Sequence, residues 1–72
     1  MRNIKENIGL RIKELRLTNS NSNLEDFATK IGMDVGYLSR VENGKQNITI
    51  ETLNTICDAL GVSLSIFFKP FE

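Results

Sequence analysis

Two short helical segments separated by a glycine constrain this chain more than any other feature. The first carries apolar residues with the i, i+3, i+4, i+7 spacing of one helix face. They are Leu24, Phe27, Ala28 and Ile31. Gly32 predicts the end of that helix, and Asp34 predicts the N-cap of the next, which runs to about Glu42 with Leu38 and Val41 on its inner face. The pattern therefore predicts two short helices joined by a tight turn.

Before this pair, residues 3–17 have the pattern of an amphipathic helix with a basic outer surface. Its apolar positions are Ile4, Ile8, Ile12 and Leu15, and its basic residues are Arg2, Lys5, Arg11, Lys13 and Arg16. Residues 18–23 consist of Thr, Asn and Ser, whose side chains compete for backbone hydrogen bonds. They predict a loop, and Asn23 predicts the N-cap of the helix that follows it.

After the pair, two more helices are predicted. Thr49 is the N-cap of a fourth helix that Gly61 ends, and Ser63 caps a fifth, which Pro70 limits to about Lys69. The residues predicted to face inward are Ile50, Leu53, Ile56, Cys57, Leu60, Leu64, Phe67, Phe68 and Phe71. No strand-like alternation interrupts the helices. The predicted fold class is therefore all-α, a compact five-helix bundle.

Length and composition narrow the class of protein. A chain of 72 residues predicts a single domain over 1–72. Its nine basic and nine acidic side chains cancel, which argues against unselective binding to nucleic acid or to an anionic membrane. The single cysteine closes no internal disulfide, and no apolar run has the length of a membrane span or the form of a signal peptide. We expect a soluble, cytoplasmic protein with no membrane partner.

Catalysis finds little support in the residues. The chain has no histidine, and Cys57 lies on the apolar face of the fourth helix, where a buried, unreactive thiol is expected. Glu25, Asp26 and Asp34 lie at helix starts, where carboxylates stabilise the helix. No phosphate-binding glycine motif occurs. We expect no enzyme activity, no catalytic residues, no metal and no cofactor.

Binding to double-stranded DNA has a concrete mechanism in this pattern. In a helix-turn-helix the second helix lies in the major groove and presents its N-terminal part and outer face to the bases. The outward residues of that helix are Asp34, Val35, Gly36, Ser39 and Arg40. Arg40 is the one able to bond guanine through two donors, whereas Val35 suits a thymine methyl group. Gly36 either lets the backbone approach DNA closely or accommodates a neighbouring helix.

The run Tyr-Leu-Ser-Arg-Val-Glu-Asn-Gly-Lys at 37–45 resembles the Cro/phage-repressor, or xenobiotic-response-element, type of helix-turn-helix. The likeness extends over about residues 8–68 and implies a lambda-repressor-like DNA-binding domain that acts as a homodimer on a palindromic operator. Among such proteins the chain looks most like restriction–modification controller proteins. A stand-alone phage or plasmid repressor and an antitoxin-like protein-interaction module are the alternatives. RNA polymerase is a further candidate partner, through a small exposed patch.

The resemblance also implies roles for individual residues. Those implied to read bases are Val35, Gly36, Ser39 and Arg40, and those implied to contact the DNA backbone are Arg16, Asn23, Tyr37, Asn43, Lys45, Gln46 and Asn47. Leu24 and Val35 depart from the family pattern, because many relatives have Gln and Arg there. The Asn-rich loop is one residue longer than usual. Leu24 fits the apolar stripe and is expected in the core.

The C-terminal segment is richer in apolar residues than one inward face requires. Ile66 lies off the inward stripe, and with Phe67 and Phe71 it is predicted to form a hydrophobic dimer surface on the fifth helix. The alternative is that these side chains give extra cover to a small core.

Overall fold

A computed structural model describes residues 3–71. Over this range five α-helices follow one another: α1 (Ile4–Leu15), α2 (Leu24–Lys30), α3 (Val35–Glu42), α4 (Ile50–Leu60) and α5 (Leu64–Phe68). A π-helical turn, Arg16–Ser20, extends α1, and a 3₁₀ turn, Lys69–Phe71, extends α5. The predicted all-α, five-helix class is confirmed for this range. Arg2, predicted on the basic surface of the first helix, lies outside the described residues.

Side-chain caps begin the helices where the sequence predicts them. The capping residues are Asn23, Asp34, Thr49 and Ser63. Each accepts a hydrogen bond from the backbone N–H three residues later, at 2.8 to 3.1 Å. Asn3 caps α1 in the same way, and the Glu6 carboxylate accepts the Asn3 N–H in return, at 3.0 Å. Each cap contributes about 1 kcal/mol, so the helix starts are determined locally.

Gly32 and Gly61 follow α2 and α4, as predicted, with left-handed φ values of 68° and 74°. A Cβ at either position would meet no atom within 4 Å, so the backbone conformation alone favours glycine. After α2 the Met33 N–H donates to the Ala28 carbonyl at 2.9 Å, which satisfies a carbonyl of the last helical turn. The turn at Gly32 joins α2 to α3, and the turn at Gly61 joins α4 to α5.

The core lies where the five helices meet. Its buried apolar residues are Ile12, Leu15, Phe27, Ala28, Leu38, Val41, Leu53, Ile56, Cys57, Leu60 and Phe67, all predicted to face inward. Leu24 packs against this core, as expected. No single helix in residues 3–71 is long and apolar enough to cross a membrane. Only the segments Ile50–Leu60 and Leu64–Phe71 taken together have that length and apolar content, and they are bent by 99° relative to each other.

Ile4 and Ile50, predicted to face inward, are 59% and 64% exposed. Each is the first residue of its helix. Because side chains tilt toward the N-terminus of a helix, a residue in this position projects past the end of the bundle. The apolar stripe of α1 therefore begins one turn later, at Ile8, which is half-buried against the core.

The predicted loop at 18–23 is shorter than expected, because helical structure continues through Ser20 as a π-helical turn. The Thr18 hydroxyl donates to the Glu14 carbonyl at 2.9 Å, and the Asn19 amide donates to the Leu60 carbonyl at 3.3 Å. These side chains therefore support the continued helix. Asn21 ends it with a left-handed φ of 50°. A π turn contains more residues than an α turn, so it would accommodate the extra residue that the family resemblance implies for this segment.

α1 and α3 meet backbone to backbone at Gly9. A Cβ on Gly9 would lie 2.3 Å from the Val41 carbonyl oxygen and 2.7 Å from the Glu42 carbonyl oxygen. No side chain fits there without moving one of the two helices. A glycine inside a helix costs up to about 1 kcal/mol relative to alanine, and the close approach to α3 explains why the chain has one here.

We predict unequal effects for the same substitution at two helical glycines. Gly9→Ala should lower the free energy of unfolding by about 1–3 kcal/mol, because the new methyl group overlaps backbone atoms. Gly36→Ala should change it by less than about 1 kcal/mol, because the higher helix propensity of alanine is offset by a Cβ contact of 3.1 Å with the Asp34 carboxylate that caps α3. Urea unfolding of both variants measures the difference. Equal effects would contradict the proposed contact at Gly9.

Candidate nucleic-acid interface

The outer face of α3 is set by what its inner face buries. Leu38 and Val41 are 0% and 1% exposed and hold the helix against the core. On the other side, residues four apart form two neighbouring rows, Val35 with Ser39 and Gly36 with Arg40. Val35 and Arg40 are exposed, and Ser39 and Gly36 are half-exposed. The structure thus brings all the predicted base-reading residues onto one accessible surface.

Gly36 lies beneath the side chain of Arg40. A Cβ on Gly36 would lie 3.1 Å from Asp34 Oδ2 and 3.6 Å from Arg40 Nη1. Both atoms belong to α3 or its cap, so the alternative in which Gly36 accommodates a neighbouring helix is wrong. The alternative in which it allows close approach of DNA stays a prediction. The positions also indicate that the guanidinium of Arg40 extends back along α3 toward the N-terminal turn.

The loop after α3 braces Arg40. Arg40 Nε donates to Gln46 Oε1 at 3.4 Å, and Gln46 Nε2 donates to the Asn47 carbonyl at 3.3 Å. Among residues 3–71 the two terminal amino groups of Arg40 donate no hydrogen bond within the protein. Guanine recognition requires two parallel donors, which the guanidinium supplies. The arrangement therefore orients Arg40 and keeps its terminal donors available.

Ser39 has a similar support. Asn43 Nδ2 donates to Ser39 Oγ at 3.4 Å. Asn43 and Gln46, both predicted to contact the DNA backbone, thus each contact a predicted base reader within the protein, and their contacts with DNA stay predictions. At 3.4 Å and exposed to solvent, these two hydrogen bonds restrict the orientation of Arg40 and Ser39 without locking it.

The other predicted backbone contacts lie around the same surface. Lys45 and Asn47 are exposed, and the Lys45 N–H bonds the Arg40 carbonyl at 2.9 Å, which fixes the start of the loop. Asn23 is exposed, although its Oδ1 is used to cap α2. Tyr37 is half-buried and packs against the core. Their contacts with DNA stay predictions.

Arg16, predicted to contact the DNA backbone, is buried, with 7% of its side chain exposed. Its Nε and Nη2 donate to the two carboxylate oxygens of Glu42 at 2.8 and 3.0 Å, and its Nη1 donates to the Ser22 carbonyl at 2.7 Å. The hydrogen bond with Glu42 raises the pKa of Arg16, so it stays charged. With all three nitrogens engaged inside the protein, Arg16 is in no position to bind a phosphate.

Glu42 is the important residue that sequence reasoning missed. It lies four residues after Leu38 and is itself buried, so a carboxylate occupies the inner face of α3. Arg16 likewise lies four residues after Ile12, on the inner stripe of the first helix. Buried charges are almost always paired. A carboxylate on the inner face of α3 and an arginine on the inner stripe of the first helix together indicate the Arg16–Glu42 ion pair.

The predicted basic surface of the first helix is also smaller than its composition indicates. Arg11 bonds Glu14 and the carbonyl oxygens of Ile66 and Phe67, and Arg16 is buried. Lys5 lines a groove with Gln46 and Asn47, beside the loop that braces Arg40. Of the basic side chains, Arg40, Lys45 and Lys5 lie on or beside α3 and its following loop.

The predicted dimer surface is corrected at one position. Phe67 is 0% exposed and belongs to the core, whereas Ile66 is 47% exposed. Phe71 is half-buried, with its ring centroid 5.2 Å from that of Phe68 and 6.1 Å from that of Phe67. The inward stripe of α5 accounts for Phe67, because Phe67 is three residues after Leu64. Ile66 and the outer part of Phe71 remain as candidate surface.

Cys57, the one thiol considered for catalysis, is buried in the core. Cys57 is 0% exposed, and burial, with a smaller contribution from Asp58, raises the pKa of its thiol. A thiol held in the protonated form is a poor nucleophile. Among the described residues no group of three His, Cys, Asp or Glu side chains could hold a metal ion.

Comparisons with known proteins agree with this geometry. The chain is 38% identical over 72 residues to control protein C.MunI of Mycoplasma sp., covering 100% of this chain and 97% of that protein. It is 32% identical over 60 residues to control protein C.BamHI of Bacillus amyloliquefaciens, covering 83% and 74%. The crystal structure of the restriction–modification controller protein C.Esp1396I superposes with a TM-score of 0.84 at 32% identity, covering 96% of this chain and 90% of that one.

A family profile described as helix-turn-helix matches residues 12–67, from the middle of α1 to α5. The matched region contains the capped α2–turn–α3 pair and the surface of α3 described above. The chain therefore belongs to the helix-turn-helix family, as its resemblance to the Cro/phage-repressor type predicted.

Proposed function

We propose that this protein is a sequence-specific, DNA-binding transcriptional regulator that acts as a homodimer on a palindromic operator, and that it is a controller protein of a restriction–modification system. The observation that carries the proposal is the outer face of α3, where Val35, Ser39 and Arg40 are accessible on a helix anchored to the core. The match to control protein C.MunI over the whole of this chain supports the controller role.

In the proposed complex α3 lies in the major groove. Arg40 bonds a guanine through two donors, and Val35 packs against a thymine methyl group. Lys45 and Asn47, on the loop after α3, contact phosphates and fix the position of the helix along the groove. The exposed positive charge is small, so specificity depends more on base contacts than on charge.

A two-fold symmetric dimer completes the proposal. It places two α3 helices about 34 Å apart, which matches one turn of DNA. Ile66, exposed on α5, is proposed as the centre of the dimer surface. C.Esp1396I binds its natural 35 base-pair operator as a tetramer, so paired dimers are proposed for a longer operator here. RNA polymerase is the proposed partner of the DNA-bound form.

The salt dependence of DNA binding tests the proposed function. Binding to a palindromic fragment from upstream of the protein's own reading frame should weaken as salt rises, with a log K against log[salt] slope of about −2 to −5 per dimer. The slope is shallow because few exposed basic side chains lie near α3. Fluorescence anisotropy at several salt concentrations measures it. Absence of binding to any DNA at low salt would contradict the proposal and favour a protein-interaction module.

A second prediction separates base reading from phosphate contact. Arg40→Ala should cost about 1–3 kcal/mol on the natural operator and much less on operators altered at the contacted base pair. Lys45→Ala should weaken binding equally on all sequences and reduce the salt slope by about 1 per protomer. Lys13→Ala, a substitution at an exposed position of α1, is the control and should change neither the affinity nor the salt slope. A uniform loss with Arg40→Ala would exclude Arg40 as a base reader.

A further inference from the structure

Arg11 connects two parts of the protein that are far apart in sequence. From α1 its Nε donates to the Phe67 carbonyl at 2.8 Å and its Nη2 donates to the Ile66 carbonyl at 2.9 Å. Only 15% of its side chain is exposed. Its Nη1 bonds Glu14, one turn further along α1, whose side chain is 59% exposed. The guanidinium is therefore fixed between α1 and the C-terminal end of α5.

α5 depends on such a contact because it is short. It has 5 residues, and a single helical turn is unstable without support at its ends. Ser63 supports the first end by accepting the Ile66 N–H at 3.1 Å. At the other end the Lys69 N–H donates to the Ile66 carbonyl, and Arg11 supplies charged donors to Ile66 and Phe67. Hydrogen bonds from charged donors are about twice as strong as neutral ones.

The same contact holds the backbone of α5 at its exposed apolar residue, Ile66. The Phe67 carbonyl accepts a hydrogen bond from Arg11, and the Phe67 ring is buried in the core. Ile66, the neighbouring residue, projects outward from a backbone fixed at both carbonyls. Leu10, Arg11 and Phe71, the other residue of the candidate dimer surface, line one groove of about 340 Å³. The groove joins the outer face of α1 to the candidate dimer surface.

We propose that Arg11 is a positioning residue for dimer formation: by holding the Ile66 and Phe67 carbonyls, it fixes the direction in which Ile66 meets a second copy of this chain. The proposal rests on the homodimer of the proposed function. It assigns to a basic residue of α1 a role in assembly and none in contact with DNA.

Sedimentation equilibrium of the intact chain tests the proposal. Arg11→Met keeps most of the side-chain volume but removes the donors, and should raise the dimer dissociation constant at least about tenfold. Arg11→Lys keeps the charge without the planar fork, and should lie between Arg11→Met and the wild type. Glu14→Gln, which removes only the negative charge of the exposed partner, is the matched control and should leave the constant unchanged. Circular dichroism checks that each variant is folded.

A double-mutant cycle distinguishes positioning from general stability. If Arg11 acts through Ile66, Arg11→Met should weaken the dimer much less in an Ile66→Ala background than in the wild type. Fully additive losses would overturn the proposal, as would a wild-type constant in Arg11→Met. If Arg11→Met does not fold, the same cycle with Arg11→Lys decides. A wild-type chain that stays monomeric would instead overturn the homodimer itself, and DNA binding by that monomer would be judged separately.

Discussion

The buried ion pair of Arg16 and Glu42 joins the end of α1 to the end of α3. The two charges are 26 residues apart in sequence and meet through both carboxylate oxygens, while the third arginine nitrogen bonds Ser22 just before α2. One side chain thus connects the N-terminal helix with both ends of the helix-turn-helix unit. Removing one member of such a pair leaves a buried, unpaired charge and costs about 3–5 kcal/mol. The orientation of α3 therefore depends on a residue outside α2 and α3.

The contact at Gly9 acts at the same place. α1 approaches the carbonyl oxygens of Val41 and Glu42 so closely that no side chain fits between them, and two turns later Arg16 bonds the Glu42 carboxylate. α1 is thus a support for the C-terminal end of α3, and its arginines bond inward. As a result the surface offered to DNA carries little positive charge. Under the proposed function, selectivity would come from a few side chains on α3, where Gln46 contacts Arg40 and Asn43 contacts Ser39.

The features predicted correctly from sequence are local ones. Caps such as Asp34 act on an N–H three residues away, and Gly32 ends a helix through its own backbone conformation, so both are visible in a short window. The buried stripe and the exposed face of α3 follow from helical periodicity. The errors have non-local causes. Arg16 has the sequence pattern of a surface residue, and only its contact with Glu42 in the fold shows that it is buried. Phe67 fits the pattern of a dimer surface, but its side chain is buried in the core of the monomer.

The most direct test of this account replaces the buried pair as a whole. R16M/E42L exchanges both charges for apolar side chains, a change that is often neutral or stabilising, whereas R16M alone should be strongly destabilised. The measurement is the salt dependence of operator binding by the double variant. If Arg16 only anchors α3, the log K against log[salt] slope will equal that of the wild type. A slope shallower by about 0.9 per protomer would contradict the account, because it would mean that Arg16 neutralises a phosphate.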